Sequence, residues 1–144
     1  MTGAADGLLP GERVWTTLTE RAMGAMERAY APYSGFRVGA ALLAADGSVT
    51  EGCNVENAAY PATICAERAA VATAVTRGVR SFRALVIATE GESPASPCGM
   101  CRQVLMEFAP ELAVVSVTSS GAEARWTMAE LLPHAFTPTS LGRA

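Results

Sequence analysis

An α/β layered domain with a mixed sheet is the fold class predicted by three patterns: a leading amphipathic helix, a pair of apolar runs joined by an Asp-Gly turn, and then helices alternating with short apolar strands. The first pattern places Val14, Leu18, Ala22, Met26 and Ala29 three or four positions apart, which predicts a helix that stops before Pro32. Apolar runs over 38–44 and 49–55 flank Ala45-Asp46-Gly47-Ser48 and predict an antiparallel hairpin. Thr63 is the expected cap of a second helix, which runs through Cys65, Ala69, Ala72 and Val75 to Gly78. A short buried strand follows over 85–88. Ser96 as cap and Pro97 as first helical residue predict a third helix, through Leu105 to Phe108 and ending before Pro110. Strands over 114–118 and 124–127, on either side of Ser119-Ser120-Gly121, complete the set.

A chain of 144 residues, half of them apolar, supports one core. The domain is expected over 12–136, between a flexible leader over 1–11 and a flexible tail over 137–144. A net charge of -3 gives no electrostatic reason to expect nucleic acid as a partner. All 11 basic residues are arginine, to which no mechanism is attached. The opening residues carry no basic region followed by an apolar core, and no run of apolar residues is long enough to span a bilayer. A cytoplasmic protein without membrane association is therefore expected, and there the four cysteines are better suited to metal binding than to disulfides.

The cysteine spacing carries the chemistry. Cys65-Ala66-Glu67 is followed by Pro97-Cys98-Gly99-Met100-Cys101, giving three thiols and one carboxylate. With helices starting as above, Cys98 and Cys101 share one face of a first turn, and Cys65 lies in the first turn of another helix. Two helix N-termini then converge, and their dipoles favour the thiolates that a metal requires. Zinc suits such soft ligands, and three protein ligands leave its fourth tetrahedral position to water, as in catalytic sites. Glu67, two residues from a ligand, is placed to move protons without binding the metal, in a pattern that matches the zinc deaminases. Three thiolates on zinc leave a net charge of about -1. Arg68 is positioned to offset this by hydrogen bonding to ligand sulfurs, the alternative being a solvated helix charge.

A second motif is Gly52-Cys53-Asn54-Val55-Glu56-Asn57. In an extended segment Asn54 and Glu56 share a face suited to sugar hydroxyls, and Cys53 points the other way as a core thiol. An ordinary polar strand edge is the alternative for that pair. His134 is expected at the surface without a role, and Met100, Met106 and Met128 are expected in packing.

With these motifs the sequence resembles the homotetrameric zinc-dependent cytidine deaminase family. The likeness is carried by Tyr33-Ser34-Gly35-Phe36-Arg37-Val38-Gly39-Ala40-Ala41, by residues 52–60, by Cys65-Ala66-Glu67-Arg68, by residues 97–104 and by Leu131-Leu132-Pro133-His134-Ala135-Phe136. It implies a three-layer α/β/α sandwich around a five-stranded mixed sheet, one zinc ion per chain, and hydrolysis of free cytidine and deoxycytidine in pyrimidine salvage. It also implies ribose contacts at Asn54 and Glu56, and pocket positions at Phe36 and Ala66. Ala58, Tyr60 and Phe136 are implied as the positions through which subunits of a homotetramer share active sites. The competing readings are a structural zinc site closed by all four cysteines, a redox pair at Cys98 and Cys101, and a related deaminase acting on an antibiotic such as blasticidin S or on a base in polynucleotide.

Overall fold

The computed structural model describes residues 9–143. Most of the expected leader, residues 1–8, lies outside the described residues. Helix α1 (Glu12–Met26) is followed by strands β1 (Val38–Ala44) and β2 (Val49–Cys53), helix α2 (Ala66–Thr76), strand β3 (Phe82–Thr89) and helix α3 (Gly99–Phe108). Strands β4 (Ala113–Thr118) and β5 (Glu123–Thr127) and the single turn α4 (Met128–Leu131) complete the main elements. The five strands form one sheet in the order β2-β1-β3-β4-β5. Only the β3–β4 pair is parallel, as their crossover through α3 requires; the other pairs are antiparallel. The sheet is therefore mixed and five-stranded, as expected.

Alternation along the central strands separates two cores. Ala41, Leu43, Ala84, Val86, Ala88, Val115 and Val117 face α1, where they pack with Leu18, Ala22 and Met26. Their neighbours Ala40, Leu42, Leu85, Ile87 and Val114 face the opposite layer, with Ala66, Ala70, Leu105, Met128 and Leu131. These are the three layers of an α/β/α sandwich. Two glycines allow the helices to approach closely. A Cβ on Gly39 would collide with the Ala22 carbonyl of α1, and one on Gly52 with the Ala66 carbonyl of α2. The Gly52 approach sets the N-terminal turn of α2 directly against β2.

Element boundaries depart from the sequence expectation in ways that matter for the site. Helix α1 ends at Met26 because Arg28 and Ala29 donate to the Ala25 and Met26 carbonyls, tightening the last turn into i→i+3 bonds. Strand β2 stops at Cys53, short of the expected 55. The Val38 N–H is taken by Asn54 Oδ1 at 2.8 Å, and Val55 bridges instead to Tyr30 and Ile64. Thr63 does not cap α2: Ile64 is held extended by its pairing with Val55, and Cys65 becomes the N-cap. Nor does Ser96 cap α3. The first backbone bond of that helix runs from Arg102 N–H to the Cys98 carbonyl, so Cys98 is the cap. Strand β3 extends beyond the expected 85–88, and α4 is an additional turn, closed by a capping box between Thr127 and Glu130. A 3₁₀ turn, Pro138–Leu141, lies within the stretch expected as tail.

Candidate active site

The displaced helix starts bring the thiols together. Cys65 and Cys98 occupy N-cap positions, and neither side chain forms a capping hydrogen bond. Cys101 is the third helical residue of α3, one turn from Cys98. The Sγ atoms of all three lie within 4.8 Å of one another, with Cys65–Cys98 at 3.8 Å and Cys98–Cys101 at 3.5 Å. Zinc–sulfur bonds of about 2.3 Å in a tetrahedron put ligand sulfurs about 3.8 Å apart, so the triad has the span and chemistry to hold zinc. Among the described residues it is the one such cluster, and neither Cys53 nor Glu67 belongs to it. All four cysteines are free thiols.

Electrostatics within the triad are uneven. Cys65 is drawn down to about 5, first by a hydrogen bond from the Cys101 thiol and further by Arg68 and Cys98, against the cost of its burial. Cys101 is pushed up by the same bond to Cys65, by burial, and by the nearby charge of Glu67. A divalent cation held by the three sulfurs would displace the thiol protons. Arg68 donates from Nη2 to Cys65 Sγ at 3.5 Å, placing its positive charge at the sulfurs. Glu67, in the first turn of α2, is only 5% exposed. Burial raises its carboxyl above the usual range; a backbone hydrogen bond opposes this, and the negative Cys65 adds to it.

Above the triad is a cavity of about 300 Å³. Its wall includes Phe36, Asn54, Glu56 and Ala66, four of the residues implied by the resemblance, and Glu67, read from its spacing to Cys65. The Asn54 amide is already engaged at both ends, its Oδ1 by Val38 N–H and its Nδ2 donating to the Phe36 carbonyl at 2.9 Å. Glu56 accepts from the N–H groups of Tyr33 and Ser34 at 2.9 and 3.0 Å, and from the Ser34 hydroxyl. Both side chains therefore fasten the 33–38 loop as well as facing the cavity. Alternation along a single strand does not describe them, since β2 has ended before Asn54; Asn54 is buried and Val55 half exposed.

Ala58, Tyr60 and Phe136 are not brought to this cavity. All three are exposed, and Tyr60 stacks edge-to-face on Tyr33 at 6.0 Å. Sequence reasoning missed Ser34, Thr89 and Ser96, which also line the wall. Ser34 lies inside a motif quoted for its resemblance, whereas Thr89 reads as an ordinary strand residue. Met128 is buried and Met106 packs against the same core, but Met100 is 64% exposed because it points outward between the two thiols of α3. His134 is exposed, with a left-handed backbone at φ 56°. A larger hollow of about 710 Å³ around Trp15, Arg125 and Trp126 is remote from the thiols.

Three thiols at tetrahedral spacing, with a buried glutamate in the adjoining pocket wall, define a zinc-binding deaminase site. Residues 14–117 match the cytidine and deoxycytidylate deaminase zinc-binding region, and the chain belongs to that family. It is 52% identical over 121 residues to a cytidine deaminase of Sporosarcina psychrophila, covering 83% of this chain and 89% of that one. With a cytidine deaminase of Halalkalibacterium halodurans it shares 46% over 121 residues, 83% and 92% of the respective chains. The crystal structure of cytidine deaminase from Burkholderia pseudomallei superposes with a TM-score of 0.81 at 47% identity, over 84% of this chain and 98% of the other.

Proposed function

We propose that the protein hydrolyses the 4-amino group of free cytidine and deoxycytidine, giving uridine or deoxyuridine and ammonia. The observation that carries this is the placement of the thiol triad and Glu67 beside one pocket of about 300 Å³, in a chain of the deaminase family. Zinc held by Cys65, Cys98 and Cys101 supplies the Lewis acidity that makes water nucleophilic at neutral pH. Glu67 performs the proton transfers. Its carboxylate takes a proton from the water as it adds at C4 and delivers it to N3 of the pyrimidine, then takes the remaining hydroxyl proton at C4 and passes it to the departing amine. The C4–N bond breaks; the water's oxygen becomes the product carbonyl, one of its hydrogens stays on N3 and the other leaves in ammonia. Arg68 offsets the excess negative charge of the three thiolates. Asn54 and Glu56, fixed to the 33–38 loop, face the sugar hydroxyls, while Phe36 and Ala66 line the pocket. The reducing cytoplasm is the compartment that keeps these thiols free.

We also infer a homotetramer with shared sites. Tyr33, Phe36, Tyr60 and Phe136 are exposed aromatic side chains, and such a surface is covered in proteins that associate. Ala58 and Tyr60 would then close a neighbouring pocket, with Phe136 stacked on its base. The direct test is to incubate the purified protein with cytidine, deoxycytidine, cytosine and blasticidin S and follow the amino chromophore. The two nucleosides should be consumed and ammonia released; selective loss of blasticidin S would replace the nucleoside assignment.

A further inference from the structure

Two adjacent residues of α3, directly after the ligand Cys101, grip the C-terminal segment. The Arg102 guanidinium donates from Nε to the Pro97 carbonyl at 2.7 Å, from Nη2 to Ser96 Oγ at 3.0 Å, and from Nη1 to the Leu131 carbonyl at 2.8 Å. Ser96 lines the pocket and Pro97 precedes Cys98, so one side of this fork holds the loop that delivers a metal ligand. The other side satisfies a carbonyl at the end of α4 that has no helical partner. Gln103 Nε2 donates to the Phe136 carbonyl at 2.8 Å. The 131–136 stretch is therefore held at both ends by neighbouring side chains of the metal-bearing helix. Between those anchors His134 takes a left-handed backbone, a conformation uncommon for non-glycine residues. The Phe136 ring itself stays 59% exposed.

We propose that Arg102 and Gln103 are positioning residues forming a clasp, which couples metal loading of α3 to the placement of the Phe136 ring. The proposal rests on the reading that Phe136 contributes to a nucleoside site. Arg102 transmits the state of the ligand loop, because the same planar group bridges Ser96–Pro97 and Leu131, a geometry that lysine does not reproduce. Gln103 fixes the far end and thereby the direction in which the ring leaves the backbone.

Hydrogen exchange of the metal-free protein, with and without added zinc chloride, reads the coupling without using activity. The amides of Leu132, His134, Ala135 and Phe136 should gain several-fold protection on zinc binding in the wild type, and Arg102→Lys should lose that gain. Kinetics read the ring. Gln103→Leu, a near-isosteric change at an exposed position, should raise KM for cytidine about tenfold with kcat and zinc content unchanged, and should add little to the KM of Phe136→Ala. Protection that ignores zinc, or KM effects of Gln103→Leu and Phe136→Ala that add in full, would overturn the clasp. A Phe136→Ala enzyme with unaltered KM would instead sink the shared-site reading, while the exchange measurement still decides whether Arg102 couples metal to segment.

Discussion

Glu67 and Glu56 are both glutamates at the same pocket, and their surroundings divide the work between them. Glu67 is buried and held above the ordinary carboxyl range, which suits the proton-transfer role proposed for it. Glu67→Gln should therefore retain zinc, measured by atomic absorption, while kcat falls at least by roughly a hundredfold to ten-thousandfold. Glu56 is held below the ordinary range, chiefly by the Ser34 hydroxyl and N–H and also by Tyr33 N–H. A depressed carboxyl adds stability that is fully present above its unfolded pKa of about 4.3 and is lost as pH falls through the folded value. Melting temperature should thus drop more steeply in the wild type than in Glu56→Gln between about pH 5 and pH 3; parallel slopes would remove Glu56 as a fastener of the 33–38 loop. The cysteines divide in the same way. Cys53 lies outside the triad, so Cys53→Ser should keep one zinc per chain, whereas serine at position 65, 98 or 101 should lose or weaken it. Loss of zinc from Cys53→Ser would revive a structural site closed by four cysteines.

At the level of elements, Gly52 sets how closely α2 approaches β2. Its missing Cβ lets Ala66 and Ala70 of α2 rest on β2, and Cys65 and Glu67 sit at the N-terminal end of that helix. Gly52→Ala has backbone in its way, not a flexible side chain, so a cost at the upper end of the roughly 1–3 kcal/mol for overpacking is expected, with zinc affinity falling alongside. Denaturant melts and chelator competition measure the two effects; an unshifted midpoint would mean that α2 can retreat freely. The mixed α/β layering and the first hairpin were legible in the sequence because apolar runs and the Asp46-Gly47 turn are local signals; the strand order β2-β1-β3-β4-β5, which sets β1 beside β3, depends on long-range pairing and was not. Helix starts were less legible. Thr63 and Ser96 are good caps by residue type, but pairing of Ile64 with Val55 and the grip of Arg102 on Ser96 and Pro97 are tertiary, and they move both caps onto ligand cysteines. The thiol cluster survived that error because the i, i+3 spacing of Cys98 and Cys101 holds in either register. The sharing of Asn54 and Glu56 between pocket and loop was not legible, since it depends on a partner stretch about twenty residues away in sequence.

At the level of the whole molecule, a single chain leaves Tyr60 and Phe136 in solvent, away from the cavity that their family likeness assigns them to. The proposed assembly would resolve this with a second copy. Stacking on a base contributes roughly 1–3 kcal/mol, so Phe136→Ala should lower kcat/KM by roughly ten- to a hundredfold while zinc is kept. Refolding Phe136→Ala chains together with Glu67→Ala chains should give activity above the sum of the parents, because some mixed sites draw Glu67 from one chain and Phe136 from another. Mixed assemblies seen by mass spectrometry without that gain would place Phe136 within its own site or outside catalysis. On the proposed mechanism three thiolates seat one zinc, and this metal acts with Glu67 in the deamination of cytidine. The most direct measurement is a titration of the metal-free protein with zinc while cytidine loss is recorded. Activity should rise from the background in proportion to added metal and break at one zinc per chain. Full turnover without zinc, or none at saturation, would contradict it.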